Sequence, residues 1–244
     1  MKKTSSEHSE NVSSEDASSF APALYVVATA IGNLEDMTFR SLRVLSLCDF
    51  VACEDTRVSR KLLSHYNIQT PTLTYHQHSS EHDIEKILFH LRSGKSIALV
   101  TDAGTPGVSD PGNILVSRVV EAGFLVIPIP GASALSTAIS ISGLDMQQFF
   151  FAGFPPHKKG RKTFFENVVA SRTAVVYYDS VHRVLKNLEL LHEMQPDMFI
   201  VVARELTKMF ESVLRGNIGD IIRHFHENPS ECRGEFVILV QGKK

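Results

Sequence analysis

The residue types best suited to ligand binding are concentrated between residues 101 and 112. This stretch reads T-D-A-G-T-P-G-V-S-D-P-G, with three glycines, two prolines and two aspartates. Glycine permits positive φ and lets a ligand approach the backbone, whereas proline fixes φ and stiffens a loop. An apolar run from Ile97 to Val100 precedes it, and apolar residues resume at Ile114. The pattern favours a strand, a shaped binding loop and a helix, and the alternative is a turn-rich connection without a ligand.

Similar breaks follow three other apolar runs. Thr29–Asn33 and Pro130–Ala134 are short, glycine-containing segments, and Glu54–Arg57 is a polar segment that reads E-D-T-R. If the preceding strands are parallel, all of these segments open on one edge of the sheet, where α/β proteins bind their ligands. Asp55 or Thr56 would also serve as the cap of a following helix, and the two roles are compatible.

The elements that must position these segments alternate through the first half of the chain. Short strands are predicted at 24–29, 50–53, 72–75, 97–100 and 124–129. The intervening helices include one with Thr38 as its N-cap and one with the apolar spacing Ile84, Ile87, Leu88 and Leu91. Strand and helix alternation predicts right-handed βαβ units and a parallel sheet.

The pattern changes near Gly143. Strands are predicted at 149–153, 173–178, 198–203, 211–215 and 235–240, and two of them flank Glu205–Lys208 as a hairpin. We therefore expect an α/β protein of two domains. The boundaries are a disordered tail at 1–20, a parallel-sheet domain at 21–143 and a mixed-sheet domain at 144–244.

Composition limits the class of protein. The chain has 244 residues, is 43% hydrophobic and has a formal net charge of −2. No apolar run reaches the roughly 18 residues that span a bilayer, so no membrane segment is expected. Three unpaired cysteines indicate a reducing compartment, without disulfides or a zinc site. Any nucleic-acid partner must be met by a local basic patch, because the net charge offers no general attraction.

One segment could supply that patch. Residues 155–162 read P-P-H-K-K-G-R-K and could contact phosphates, although a solubilising surface loop is equally consistent with the residue types. Common cofactor signatures are absent: the chain has no G-x-G-x-x-G after its first strand, no P-loop and no H-E-x-x-H. G-A-S-A-L at residue 131 lacks the second glycine of a nucleophile elbow, so a serine hydrolase is rejected.

Five motifs in the same order resemble the ribosomal RNA small subunit methyltransferase I family of the tetrapyrrole methylase superfamily. They are L-Y-V-V-A-T-A-I-G-N-L-E-D-M-T, E-D-T-R, T-D-A-G-T-P-G-V-S-D-P-G, P-G-A-S-A and A-R-E-L-T-K, and the similarity runs from about Leu24 to Gly242. The resemblance implies a cytoplasmic homodimer that binds S-adenosylmethionine between its two domains. It implies 2′-O-methylation of a cytidine in the decoding region of 16S ribosomal RNA, with the RNA or the small subunit as partner.

The resemblance also assigns cofactor contacts. They fall on the three glycine-containing loops and on the facing wall of the second domain: Ala30, Ile31, Gly32, Gly104, Thr105, Val108, Gly131, Ala132, Ser133, Ala134, Tyr178 and Leu206.

Transfer from an activated methyl donor needs in-line alignment and loss of the hydroxyl proton, and needs no metal. Asp55 is the first candidate base, followed by Glu54 and Glu205. The simpler interpretations are that Asp55 caps a helix and that Glu205 pairs with Lys208. RNA contacts are expected from cationic side chains: Arg57, Lys158, Lys159, Arg161, Lys162 and Arg183.

Three positions depart from the family pattern. Ala30 replaces a proline, and Asp179 and Val181 replace the glutamate and proline of Y-E-S-P-H-R. A looser first loop that still binds cofactor is expected. Two other functions stay open at this point: methylation of a tetrapyrrole or other small molecule, and an RNA-binding assembly factor that has lost catalysis.

Overall fold

The computed structural model describes residues 20–77 and 79–243. The predicted tail at 1–20 lies outside these residues, except for Phe20. The first half forms the strands β1 Ala23–Val27, β2 Phe50–Cys53, β3 Thr72–Thr74, β4 Ile97–Leu99 and β5 Leu125–Ile129. Its helices are α1 Phe39–Leu47, α2 Thr56–His65, α3 Glu81–Arg92, α4 Asn113–Glu121 and α5 Ala134–Ser142.

The first sheet is entirely parallel, with strand order β3-β2-β4-β1-β5. Alternate residues of its strands enter two cores. Val27 and Val51 face the core that holds Leu45 of α1 and Leu63 of α2, whereas Leu24 and neighbouring residues face α3 and α4. Helices on both faces are what an all-parallel sheet requires. The predicted strands and the predicted parallel sheet are confirmed within one or two residues at each end.

The second half forms β6 Phe149–Phe151, β7 Ala174–Ser180, β8 Phe199–Arg204, β9 Ser212–Asn217 and β10 Glu235–Val240. Its helices are α6 Arg161–Ala170, α7 Val184–Met194 and α8 Ile218–Glu227. The sheet order is β6-β7-β10-β8-β9, with β6 parallel to β7 and the other pairs antiparallel. The predicted mixed sheet and the hairpin around Glu205–Lys208 are both present.

Helix α5 belongs to both halves. It follows β5 of the first sheet, yet Ala138 is fully buried against Val176, Val201 and Val237 of the second sheet. Helices α6, α7 and α8 cover the opposite face of that sheet. The division of the chain at residues 143 and 144 stays a prediction.

Local sequence explains where several helices start. The Thr38 side chain accepts a hydrogen bond from the Ser41 backbone at 3.0 Å, and Asp55 accepts one from the Arg57 backbone at 2.8 Å. Both caps satisfy donors that a helix leaves unpaired at its start. Within the described part of the chain, no helix combines the length and apolarity needed to cross a bilayer.

Candidate active site

The three glycine-containing loops meet at the carboxyl edge of the first sheet. The Thr29 backbone donates to the Gly104 carbonyl at 2.9 Å, and the Ala28 backbone donates to Ile129 at 3.1 Å. The Thr105 hydroxyl reaches the Ala132 carbonyl at 3.4 Å. The loops therefore form one connected surface, as their positions after parallel strands predict.

Two glycines allow this close approach. Gly104 has φ of +80°, which side chains rarely adopt, and a Cβ at Gly131 would lie 3.1 Å from the Ala28 side chain and 3.3 Å from its carbonyl oxygen. A larger residue at either position would strain the loop or push the first and third loops apart.

A cavity of about 330 Å³ opens between these loops and the second sheet. This volume lies in the range of small-molecule sites. Its lining combines loop residues of the first half with strand and hairpin residues of the second half: Ile31, Asp102, Ala103, Gly104, Thr105, Val108, Ser109, Asp110, Ser133, Ala134, Phe154, Tyr178, Asp179, Ser180, Ala203, Leu206, Glu235, Phe236 and Val237.

Eight of the predicted cofactor residues line this cavity: Ile31, Gly104, Thr105, Val108, Ser133, Ala134, Tyr178 and Leu206. The other four support the loops. Ala30 is buried and its N–H contacts the Met37 sulfur at 3.2 Å, and Gly32 lies against the Lys208 side chain. Gly131 packs on Ala28, and the Ala132 carbonyl accepts a hydrogen bond from the Thr105 hydroxyl. Their roles as cofactor contacts stay predictions.

Three charged residues of the cavity lining were not predicted from the sequence, namely Asp102, Asp110 and Glu235, and Asp110 has the most strongly shifted pKa of them. It lines the cavity, and burial together with the nearby carboxyls of Glu54, Asp102 and Glu235 raises its pKa to about 6. Burial and the charge of Asp102 also raise the pKa of Glu54. The S-D-P-G ending of the central loop was visible in the sequence, but only the fold shows that its aspartate turns toward the cavity.

The three predicted bases lie in unequal environments. The Arg57 guanidinium bonds the Asp55 carboxylate at 2.7 Å and lowers its pKa to about 2. Against the raising effect of burial, hydrogen bonds from Lys208 and the Glu235 backbone lower the pKa of Glu205. Glu54 is the one of the three whose pKa is raised. A base is most effective when its pKa lies near the working pH, so the direction of the shift favours Glu54, and the cavity lining includes none of the three carboxyls.

Asp179, one of the departures from the family pattern, closes one side of the cavity. It is buried and accepts hydrogen bonds from the Asn187 side chain at 2.6 Å and from the Ser180 backbone at 2.8 Å. Burial raises the pKa of this carboxyl. Asp179 thus has protein partners of its own despite being shorter than glutamate.

The cationic residues divide into two groups. Arg183 donates to the Pro155 carbonyl at 2.8 Å, and Arg161 donates to the Asn187 side chain at 2.7 Å and to the Lys186 carbonyl at 3.0 Å. Lys158 and Lys159 are exposed, and within the described chain neither side chain has a hydrogen bond or ion pair, although the Lys158 carbonyl accepts from the Arg161 backbone at 3.3 Å. The basic segment differs from the predicted loop at its end, where Arg161 and Lys162 form part of the first turn of α6.

The last two predicted RNA-binding residues, Arg57 and Lys162, lie near carboxylates on the protein surface. Arg57 is exposed and paired with Asp55, and Lys162 lies 3.8 Å from Glu166. Among the residues the structure describes, no three His, Cys, Asp or Glu side chains are grouped so as to hold a metal ion. The cysteines Cys48, Cys53 and Cys232 are all free.

The fold and the cavity define a tetrapyrrole methylase. The family model for Tetrapyrrole (Corrin/Porphyrin) Methylases matches residues 23–222. A uroporphyrin-III-C-methyltransferase from Thermus thermophilus superposes with a TM-score of 0.63 at 18% identity, covering 90% of this chain and 94% of that one. A cobalt precorrin-4 methyltransferase superposes with a TM-score of 0.61 at 16% identity, covering 90% and 95%.

Sequence relatives narrow the assignment. A ribosomal RNA small subunit methyltransferase I from Bacillus subtilis is 44% identical over 220 residues, which is 90% of this chain and 75% of that protein. Its namesake from Haemophilus influenzae is 42% identical over 222 residues, or 90% and 78% of the two chains. The chain belongs to the ribosomal RNA small subunit methyltransferase I family, and the expected resemblance is confirmed.

Proposed function

We propose that this enzyme transfers the methyl group of S-adenosylmethionine to a ribose 2′-hydroxyl of small-subunit ribosomal RNA. The finer proposal is that the acceptor is a cytidine in the decoding region of 16S RNA and that the enzyme works in the cytoplasm as a homodimer. The observation that supports it best is the cavity at the carboxyl edge of the first sheet, because backbone loops, apolar walls and four carboxyl side chains converge there. The names of the relatives supply the RNA substrate.

The residues present fit a ligand that carries positive charge. Asp110 lines the cavity with Asp102 beside it, and Ile31, Val108 and Leu206 supply apolar walls. Bound S-adenosylmethionine supplies a methyl group already activated on a sulfonium. We propose that Asp110, ionised above pH 6, attracts the cationic part of this cofactor, while Thr105 and Ala134 shape the loops around it.

The protein must then align the acceptor and remove its proton. Alignment of two reactants in one cleft lowers the entropic part of the barrier. We propose Glu54 as the group that accepts the hydroxyl proton, since its carboxyl lies near enough to the cavity-lining Asp110 to raise that pKa, and burial and Asp102 raise its own. Asp55 and Glu205 are less suitable because their pKa values are lowered by Arg57 and Lys208.

The RNA grip is assigned to the exposed part of the basic loop. Arg161 fixes one end of this loop to α7, and Arg183, the N-cap of α7, fixes the other end through the Pro155 carbonyl, which leaves Lys158 and Lys159 to contact phosphates. The double variant Lys158→Ala/Lys159→Ala should lower the affinity for small subunits and flatten its salt dependence. The matched control Lys86→Ala/Lys95→Ala removes the same charge elsewhere and should bind normally.

The direct test uses labelled S-adenosylmethionine with small subunits from cells that lack the enzyme. We expect label in 16S RNA, and nuclease digestion with mass spectrometry should place it on a ribose rather than a base. Label on uroporphyrinogen but not on RNA would instead establish the small-molecule function. Calorimetry that detects no cofactor binding would favour a non-catalytic assembly factor, and light scattering would test the homodimer.

A further inference from the structure

Phe154 is an aromatic residue placed at the opening of the cavity. It lines the cavity and is nevertheless 49% exposed. Among the large apolar side chains that are exposed in the described residues, it alone lines this cavity. Its ring packs at 61° on Tyr178 with centroids 5.4 Å apart, and Tyr178 packs in turn on Phe151 at 5.0 Å. Half of the side chain is therefore supported from behind while the rest is open to a ligand.

The backbone holds this ring in place on both sides. The Gly153 carbonyl accepts a hydrogen bond from the Tyr178 backbone at 2.9 Å, and the Pro155 carbonyl accepts one from the Arg183 side chain at 2.8 Å. Gly153 has φ of +67°, which turns the chain at the end of β6. Phe154 is thus a fixed feature of the cavity wall, although it precedes a loop.

The charges that follow Phe154 indicate what covers it. Lys158 and Lys159 lie four and five positions further along the chain, and both side chains are exposed and have no protein partner among the described residues. A fixed aromatic ring followed within five residues by exposed cations suits single-stranded nucleic acid, whose bases stack on rings and whose phosphates contact cations. Folded RNA is recognised largely at nucleotides whose bases have left the stack.

We infer that Phe154 stacks on the nucleobase of the nucleotide that is methylated. This inference rests on the proposed function and adds how the enzyme holds the nucleotide that it methylates. A base held on Phe154 places its own ribose at the mouth of the cavity, where the acceptor hydroxyl must enter. Recognition of a ring face tolerates different bases, so Phe154 positions the nucleotide rather than selecting its identity.

The test compares Phe154→Ala, Phe154→Leu and Phe154→Trp with the wild type. The kcat/KM for small subunits lacking the modification should fall about tenfold to a hundredfold in the Ala and Leu variants, because base stacking on an aromatic ring is worth about 1–3 kcal/mol. The Trp variant retains a ring and should stay within about threefold of the wild type. Calorimetry should give all three variants an affinity for S-adenosylmethionine within about twofold of the wild type, which also verifies that they fold.

The matched control is Phe89→Ala, which removes an exposed ring from α3, outside the cavity lining, and should leave kcat/KM unchanged. Full activity of Phe154→Leu or Phe154→Ala would overturn the inference. So would a loss of cofactor affinity as large as the loss of activity, since the ring would then contact the cofactor. Wild-type protein that methylates no small-subunit RNA would refute the proposed function itself, a result separate from any effect of Phe154.

Discussion

Two neighbouring strand ends place carboxyls in opposite electrostatic environments. After β2, the Asp55 carboxylate pairs with Arg57 and its pKa falls to about 2. After β4, Asp110 is half-buried near Glu54, Asp102 and Glu235, and its pKa rises to about 6. The segments touch, because the Asp55 backbone donates to Asp102 at 3.2 Å. The same side chain is thus a paired anion in one segment and a carboxyl with a raised pKa in the other. A local arginine lowers the pKa of Asp55, whereas burial and neighbouring carboxyls raise that of Asp110.

The largest expected effect is a loss of kcat, and it should distinguish Glu54 from Asp55 in the segment after β2. Glu54→Gln should lower kcat by about a hundredfold to ten-thousandfold with little change in cofactor affinity, which is the usual contribution of a general base. Asp55→Asn should lower kcat by less than about tenfold, because Arg57 already holds that carboxylate. Single-turnover methylation of small subunits measures both, and the reverse order of effects would return the base to Asp55.

The second-largest expected effect is a loss of cofactor affinity on replacement of Asp110, in the segment after β4. Asp110→Asn should weaken binding of S-adenosylmethionine by about thirtyfold or more, since removing one partner of a partly buried charge pair costs several kcal/mol. Calorimetry measures this directly. Asp55→Asn is the matched control at the same sheet edge and should bind normally; equal losses in the two variants would show that the loops respond to any lost charge.

A pH titration of cofactor binding tests the raised pKa of Asp110. Only the ionised carboxyl attracts a cation, and with a pKa of about 6 its ionised fraction falls about tenfold between pH 7 and pH 5. Binding should weaken by about the same factor in the wild type and stay flat in Asp110→Asn. A wild-type affinity that does not change over this range would contradict the role given to Asp110.

The smallest effects concern stability, and they have opposite signs. The native pKa of Asp110 is raised, so the folded protein binds more protons than the unfolded chain between about pH 4 and pH 6, and this group makes the protein less stable as pH rises through that window. The native pKa of Asp55 is lowered, so its contribution is present above pH 4 and is lost as pH falls toward 2. At pH 7 we expect Asp110→Asn to raise Tm slightly and Asp55→Ala to lower it by a few degrees, as thermal scans would show.

Local chemistry made much of this predictable. Thr38 and Asp55 were identifiable as caps, Glu205 and Lys208 as a pair within a hairpin, and the glycine-containing loops as neighbours on one sheet edge. Each depends on residues close in sequence or on the rule that parallel strands end together.

Tertiary partners explain what the sequence could not reveal. The pKa of Asp110 depends on Glu54 and Glu235, which are distant in the chain. The sequence predicts Arg161 and Arg183 as cations that contact RNA, but the Asn187 side chain and the Pro155 carbonyl accept their hydrogen bonds. Lys158 and Lys159 have the same charge and no such acceptor among the described residues, so burial and geometry separate cations that composition treats alike.

The position of α5 has a consequence for dissecting the protein. Cutting the chain after residue 143 would leave the second half without the helix that shields Val176, Val201 and Val237 from water. The isolated C-terminal fragment would expose this apolar face of the second sheet to water and should aggregate when expressed alone. Adding the stretch from 134 to 142 back to its amino end should improve its solubility, so the most informative truncation begins before α5.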